Sequence, residues 1–292
     1  MPAQKSILIT GAAGQLGSEF VELETVFTQY RFLFTSKEAL PIENRAALDA
    51  YFEKHPVNYC INCAAYTAVD KAEAETEKAF LINANGAGSL AAVCGQYGVP
   101  LIHISTDYVF EGNAVMPYKE TDPVNPLNVY GASKLKGEEL VLQNNPTSLV
   151  IRTSWVYGKS GNNFVKTMLR LMKERESIRV VNDQFGSPTS AKDLAAAIML
   201  IIGKLPEYDF KNRVFHYSNQ GIISWFDFAV AIKDLSGSRC IVNPIPASQY
   251  PTPAKRPFYS ALDTSLIQGT FGITIPGWRE SLNAVMASVL AG

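Results

Sequence analysis

The chain of 292 residues has little cysteine, little histidine and no excess of charge of either sign. Its three histidines, His55, His103 and His216, stand far apart in sequence. Of its four cysteines, Cys60 and Cys63 form a C-x-x-C, but no second pair supplies the remaining ligands of a zinc site. The pair falls in Tyr59-Cys60-Ile61-Asn62-Cys63, which reads as a buried strand, and an offset of three sends the two thiols to opposite faces. Core packing is expected of them, and no metal site. Twenty-six basic against 27 acidic residues leave no electrostatic footprint for nucleic acid, and no block of like charge makes a tail. The longest apolar run, Leu194 to Ile202, is about half the ~18 residues of a membrane span, so no membrane partner is expected. Ile7-Leu8-Ile9 is too short for the apolar region of a signal peptide, so a cytoplasmic, reducing setting is expected.

What is present is an ordinary globular balance, 47% apolar and 18% charged. Short β-branched runs alternate with helical periods. Strands are expected at Ser6–Thr10, Arg31–Thr35, Tyr59–Asn62, Leu101–Ser105 and Ser148–Thr153. Helices are expected from Gln15, from an N-cap at Asn44 to Lys54, over Glu77–Tyr97 and over Val129–Gln143. Such alternation predicts right-handed crossovers and a Rossmann-type doubly wound α/β fold with a parallel sheet. Residues 1–153 read as its dinucleotide-binding part. Residues 154–292 read mainly as a smaller C-terminal, substrate-binding lobe, with about 178–217 returning to the sheet. In that half, helices are expected over Asn163–Arg175, Ala191–Gly203 and Ser224–Leu235, and a strand over Arg213–Tyr217. Pro244–Pro257 shows no period.

Thr10-Gly11-Ala12-Ala13-Gly14-Gln15-Leu16-Gly17 follows the first strand and opens a helix. Gly11 permits the tight turn, Gly14 lets the backbone approach a pyrophosphate, and Gly17 lets helix and sheet pack closely. The helix N-terminus offers free N–H groups to the phosphates. The second strand ends Thr35-Ser36-Lys37, with no acid before Glu38, and Lys37 suits a 2′-phosphate. NADPH is the expected cofactor, with NADH the alternative. In Tyr130-Gly131-Ala132-Ser133-Lys134, Tyr and Lys share one helical face, and an ammonium there would lower the phenol's pKa. Ser105-Thr106-Asp107-Tyr108 stands at the carboxyl end of the fourth strand, where open parallel sheets bind ligands. The Thr106 hydroxyl suits a substrate carbonyl.

Together, Thr-Gly-x-x-Gly-x-x-Gly, Asn62-Cys63-Ala64-Ala65-Tyr66-Thr67, Ser105-Thr106 and Tyr130-x-x-x-Lys134 resemble the extended short-chain dehydrogenase/reductase superfamily. Arg152-Thr153-Ser154-Trp155, Asp183-Gln184-Phe185-Gly186-Ser187-Pro188-Thr189 and Pro253-Ala254-Lys255-Arg256-Pro257 resemble, more narrowly, its nucleotide-sugar 4-ketoreductases, and the resemblance covers nearly the whole chain. It implies NAD(P)H-dependent reduction of dTDP-4-dehydro-L-rhamnose to dTDP-L-rhamnose. Tyr130 would be the proton donor, with Lys134 and Thr106 beside it. Gly11, Gly14, Gln15, Leu16, Gly17, Lys37, Ala64, Ala65, Tyr66, Tyr130 and Lys134 would hold the cofactor. Thr106, Asp107, Trp155 and Arg256 would hold the substrate, Arg256 at its diphosphate. Asn83 matches a helix-bending asparagine. Thr35 and Pro41 stand where some members carry acids at the cofactor. Glu19 matches a glutamate through which some members hold a bridging magnesium ion, but Lys192 replaces another. A monomer or weak homodimer without metal is therefore expected. Two alternatives share the fold: a nucleotide-sugar epimerase or dehydratase, and a non-catalytic regulatory subunit of the methionine adenosyltransferase type. Tyr108 stands where the dehydratases carry a glutamate.

Overall fold

The computed structural model describes residues 4–290. The first half runs β1 (Lys5–Thr10), α1 (Gln15–Leu23), β2 (Tyr30–Thr35), α2 (Arg45–Lys54), β3 (Tyr59–Asn62), α3 (Val69–Ala72), α4 (Thr76–Phe80), α5 (Ala87–Gln96), β4 (Leu101–Thr106), α6 (Val129–Asn144) and β5 (Ser148–Thr153). The second continues with β6 (Val156–Tyr157), α7 (Phe164–Glu174), β7 (Ser177–Val181), β8 (Phe185–Gly186), β9 (Thr189–Ser190), α8 (Ala191–Lys204) and β10 (Val214–His216). It ends with β11 (Ile223–Ser224), α9 (Trp225–Ser236), β12 (Ile241–Ile245), α10 (Ser265–Phe271) and α11 (Trp278–Leu290).

Six parallel strands lie in the order β10-β5-β4-β3-β1-β2. Chain direction across the sheet reverses between β1 and β3, which opens a crevice at the carboxyl ends of those strands. Leu16 and Phe20 of α1, Leu194 to Ile202 of α8, and Ile267 and Phe271 of α10 pack on one face. Leu48 and Phe52 of α2, Ala87 to Cys94 of α5 and Val141 of α6 pack on the other. Cys60 enters the second layer and Cys63 packs against the first, so the thiols do part across the sheet. All four cysteines are free.

A separate core, with Tyr157, Met168, Ile178, Phe228, Ile232 and Leu282, builds the smaller lobe. Three two-stranded pairings, β7 with β12, β8 with β11 and β6 with β9, brace it. Of the stretch 178–217, α8 lies on the main sheet and β10 extends it, whereas β7, β8 and β9 pair inside the small lobe. The stretch 244–257 also departs from expectation at its start. Pro244 sits inside β12, a strand with one partner, where a missing N–H costs no second ladder bond.

The helix expected over 77–97 is interrupted by a π-helical turn, Leu81–Gly86. Asn83 in that turn accepts from the Tyr66 N–H at 2.8 Å and donates to the Tyr66 carbonyl and the Ser133 hydroxyl, each at 3.0 Å. One side chain thereby ties the loop after β3 to α6.

Candidate active site

The turn between β1 and α1 is built by close backbone approach. Gly11 has φ +65°, and a Cβ there would lie 2.6 Å from the Ala64 nitrogen. The Ala12 N–H donates to the Thr35 carbonyl at 3.0 Å, which anchors the turn to β2. Gly14 caps α1 and no side chain caps the helix, so first-turn N–H groups remain free for an anion. A Cβ on Gly17 would overlap the Gly11 carbonyl. Gln15 is half-buried and Leu16 turns into the core. Ala64, Ala65 and Tyr66 are half-buried and leave β3 across the crevice from this turn. Lys37 is exposed just past β2, 3.7 Å from Glu38. At Gly11 and Gly17 a side chain would collide with neighbouring backbone, so glycine is what lets this turn close.

Along the crevice, Asn128 caps α6 by accepting from the Gly131 N–H at 2.8 Å. That start point sets Tyr130 and Lys134 on the face toward β4. The Tyr130 ring stays half-open and meets the Tyr108 ring edge-on at 5.6 Å. Its phenol is pushed above the usual 10 by burial, with Asp107 and Tyr108 adding to the rise and the Thr106 hydroxyl opposing it. The lowering expected from Lys134 is therefore not what governs this group before a cofactor binds; desolvation wins, and the phenol keeps its proton at neutral pH.

Lys134 is buried, and its Nζ donates to the Ile104 carbonyl at 2.6 Å. Burial pulls it from 10.5 to about 8, against the pull of Glu138 and Cys63. Thr106 donates to Asp107 at 3.0 Å. Burial pushes Asp107 up to about 6, against the Ser260 and Thr106 hydroxyls that favour its carboxylate.

The two distant sequence candidates both reach this region. Arg256 donates to the Tyr108 hydroxyl at 3.1 Å and to Asp70 at 2.8 Å, which places it one side chain from Tyr130. Trp155 holds φ +47° and stacks on Trp225 with ring centroids 3.5 Å apart. Gly186 lies under it: a Cβ there would meet the Trp155 ring and the Ser260 hydroxyl at 2.8 Å.

The model of the RmlD substrate binding domain matches residues 5–291. A dTDP-4-dehydrorhamnose reductase of Aggregatibacter actinomycetemcomitans is 40% identical, over 96% of this chain and 98% of its own. A solved structure described by the same activity, from Clostridium acetobutylicum, is 42% identical with a TM-score of 0.93, covering 98% and 99% of the two chains. Another, from Bacillus anthracis in complex with NADP, is 38% identical with a TM-score of 0.93, covering 98% and 100%. The chain belongs to the dTDP-4-dehydrorhamnose reductase family.

For a member of this reductase family, the sequence left several site residues unread. Ser260 sets its hydroxyl against Asp107, where it favours the carboxylate. No local signal marks it, because it arrives from a stretch without secondary structure. Glu138, one turn beyond Lys134, pairs with Arg152 at 2.7 Å and accepts from Ser105 at 2.5 Å. The i, i+4 spacing of Lys134 and Glu138 was the available signal.

Proposed function

We propose that this protein reduces the 4-keto group of dTDP-4-dehydro-L-rhamnose to the alcohol of dTDP-L-rhamnose, with NADPH. The observation that carries the reading is the meeting of Tyr130, Thr106 and Asp107 at the end of β4, beside a glycine-lined crevice, in a chain of this family. Bound NADPH supplies hydride to the carbonyl carbon.

The protein's own groups do the rest. The Gly11–Gly17 turn and the free N–H groups of α1 hold the pyrophosphate, and Lys37 takes the 2′-phosphate. Ala64, Ala65 and Tyr66 flank the dinucleotide. Thr106 turns its one hydroxyl proton from Asp107 to the carbonyl oxygen and fixes its direction. The Tyr130 phenol gives its proton to that oxygen as alkoxide develops. Burial keeps the phenol protonated, which is the form a reduction needs, and the alkoxide is the stronger base. Lys134 would hold the nicotinamide ribose. Asp107 accepts from a sugar hydroxyl. Arg256 exchanges the Asp70 carboxylate for the substrate's diphosphate, and Trp155 packs on the sugar or base. Tyr108 in place of an acid disfavours water elimination.

A cytoplasmic setting goes with this reading and agrees with four free thiols. Among the described residues no helix is long and apolar enough to cross a membrane. We also read the protein as a monomer or weak homodimer, since Lys159 and Lys192 already supply positive charge beside Glu19. The deciding experiment is NADPH oxidation with a panel of nucleotide 4-ketosugars. Stoichiometric oxidation with the dTDP sugar is expected. Isomerised sugar without net cofactor consumption would replace this reading with an epimerase.

A further inference from the structure

A hydrogen-bonded chain runs under the crevice from β1 through β3 and β4 to α6. Thr10 Oγ1 donates to Asn62 Oδ1 at 2.7 Å, and the Ala64 N–H donates to the same oxygen at 3.1 Å. A backbone N–H can only donate, so it fixes which end of the amide faces it. Asn62 Nδ2 then faces His103 Nδ1 at 2.9 Å. Because Nδ2 is a donor, Nδ1 must accept. The His103 ring is fully buried, and burial, the larger cause, keeps it neutral. A neutral imidazole with a bare Nδ1 carries its proton on Nε2. Nε2 lies 3.3 Å from Lys134 Nζ.

We propose that His103 is a positioning residue for Lys134, its Nε2–H meeting the lysine nitrogen and linking the lysine's protonation to the Asn62–Ala64 turn. The functional part of this inference rests on the reading of Lys134 as a site residue; the network itself does not. A neutral amine offers a lone pair to Nε2–H, and every group from Thr10 to Ile104 is satisfied. An ammonium offers none. To accept from it, His103 must carry its proton on Nδ1 and Asn62 must turn over. The Asn62 amide hydrogens then confront the Ala64 N–H. Charging the lysine therefore costs a hydrogen bond on the loop that borders the dinucleotide cradle.

The groups facing Lys134 are few. His103 and the Ile104 carbonyl come from β4, and Cys63, whose thiol burial holds protonated, follows β3. On α6 itself stand Tyr130 and Glu138, and Glu138 is bound to Arg152 of β5. Glu138 favours the ammonium; His103 in its present tautomer opposes it.

The test uses the whole, cofactor-free protein, with histidine nitrogens and lysine Cε labelled for NMR and Lys134 assigned through Lys134→Arg. The expected result is a proton on His103 Nε2 and a Lys134 midpoint below the ordinary lysine range. In His103→Gln the new amide is free of Asn62 and turns its oxygen to the ammonium. The Lys134 midpoint should then rise by about one pH unit, the scale of one gained charge-assisted hydrogen bond. A proton on His103 Nδ1 in the unaltered protein overturns the proposal, and so does an unmoved Lys134 midpoint in a folded His103→Gln. The tautomer measurement needs no variant, so it decides even where His103→Gln does not fold. Neither reading uses reductase activity, so a failure of the function proposed above is seen separately.

Discussion

Tyr130→Phe keeps the ring that packs edge-on against Tyr108 and removes only the hydroxyl. Thermal stability should stay near that of the unaltered protein, while kcat falls by roughly 10²–10⁴-fold, the usual worth of a positioned proton donor. NADPH oxidation and a melting curve on the same sample check both halves, and near-full activity would take Tyr130 out of the mechanism. Arg256→Ala tests the opposite end of the substrate. Its partner Asp70 is partly exposed, so losing the pair should change stability by about 1 kcal/mol or less. Substrate KM should rise tenfold or more, with kcat and NADPH affinity nearly unchanged, because the diphosphate's charge does not change during the reaction. An unaltered substrate KM would return Arg256 to a purely structural clasp with Asp70.

At the scale of elements, the π-helical turn is the most informative segment. Asn83→Ala leaves the Tyr66 N–H and carbonyl without partners and should cost about 1–3 kcal/mol in urea unfolding. The loop carrying Ala64 to Tyr66 loses its anchor, so the NADPH Kd should rise as well. An unchanged Kd would detach that loop from the cofactor. The Tyr59–Asn62 strand, the Asn44 cap and the start of α6 were legible because a period or a capping residue marks each locally. The π turn was legible only as the bend that the resemblance implies at Asn83; the wider backbone hydrogen bonding over Leu81–Gly86 leaves no period of its own in the sequence. The two-residue strands β6, β8, β9 and β11 are too short to hold an alternation, and Pro244 disguises β12. Tyr130, Lys134, Thr106 and the glycine turn were readable as spaced motifs. Ser260 and the Asn62–His103 chain were not, because only the sheet register and the long returning loop bring them in.

For the whole molecule, buried ionisable groups set how stability answers to acid. His216 is buried, and its pKa is lowered from 6.5 to about 3 by burial, with Arg152 adding to the fall. Between those values the unfolded chain binds a proton here that the folded protein does not, so stability falls as pH drops below 6.5. The full effect is about 1.4 kcal/mol per pH unit for one such group. His216→Asn keeps a donor for the Tyr118 carbonyl and removes the titration. Its deficit against the unaltered protein should shrink from pH 7 to pH 5 in urea unfolding; a constant deficit would mean that His216 does not titrate between the two states. Cofactor choice is likewise set far from the chemistry. Lys37→Ala should raise the KM for NADPH several-fold and leave that for NADH alone, measured by steady-state kinetics with both, because only the former carries a 2′-phosphate.

All three tryptophans, Trp155, Trp225 and Trp278, come after β5 and pack against the small lobe's core. Two of them are stacked face to face. The ultraviolet emission of the indoles is therefore a private signal of one lobe, and the sheet that holds the dinucleotide cradle is silent in it. Backbone dichroism, by contrast, sums over every helix and strand. An unfolding curve followed in each kind of light reads a different part of the chain, and the protein carries, without any attached dye, its own gauge of whether its two parts melt together.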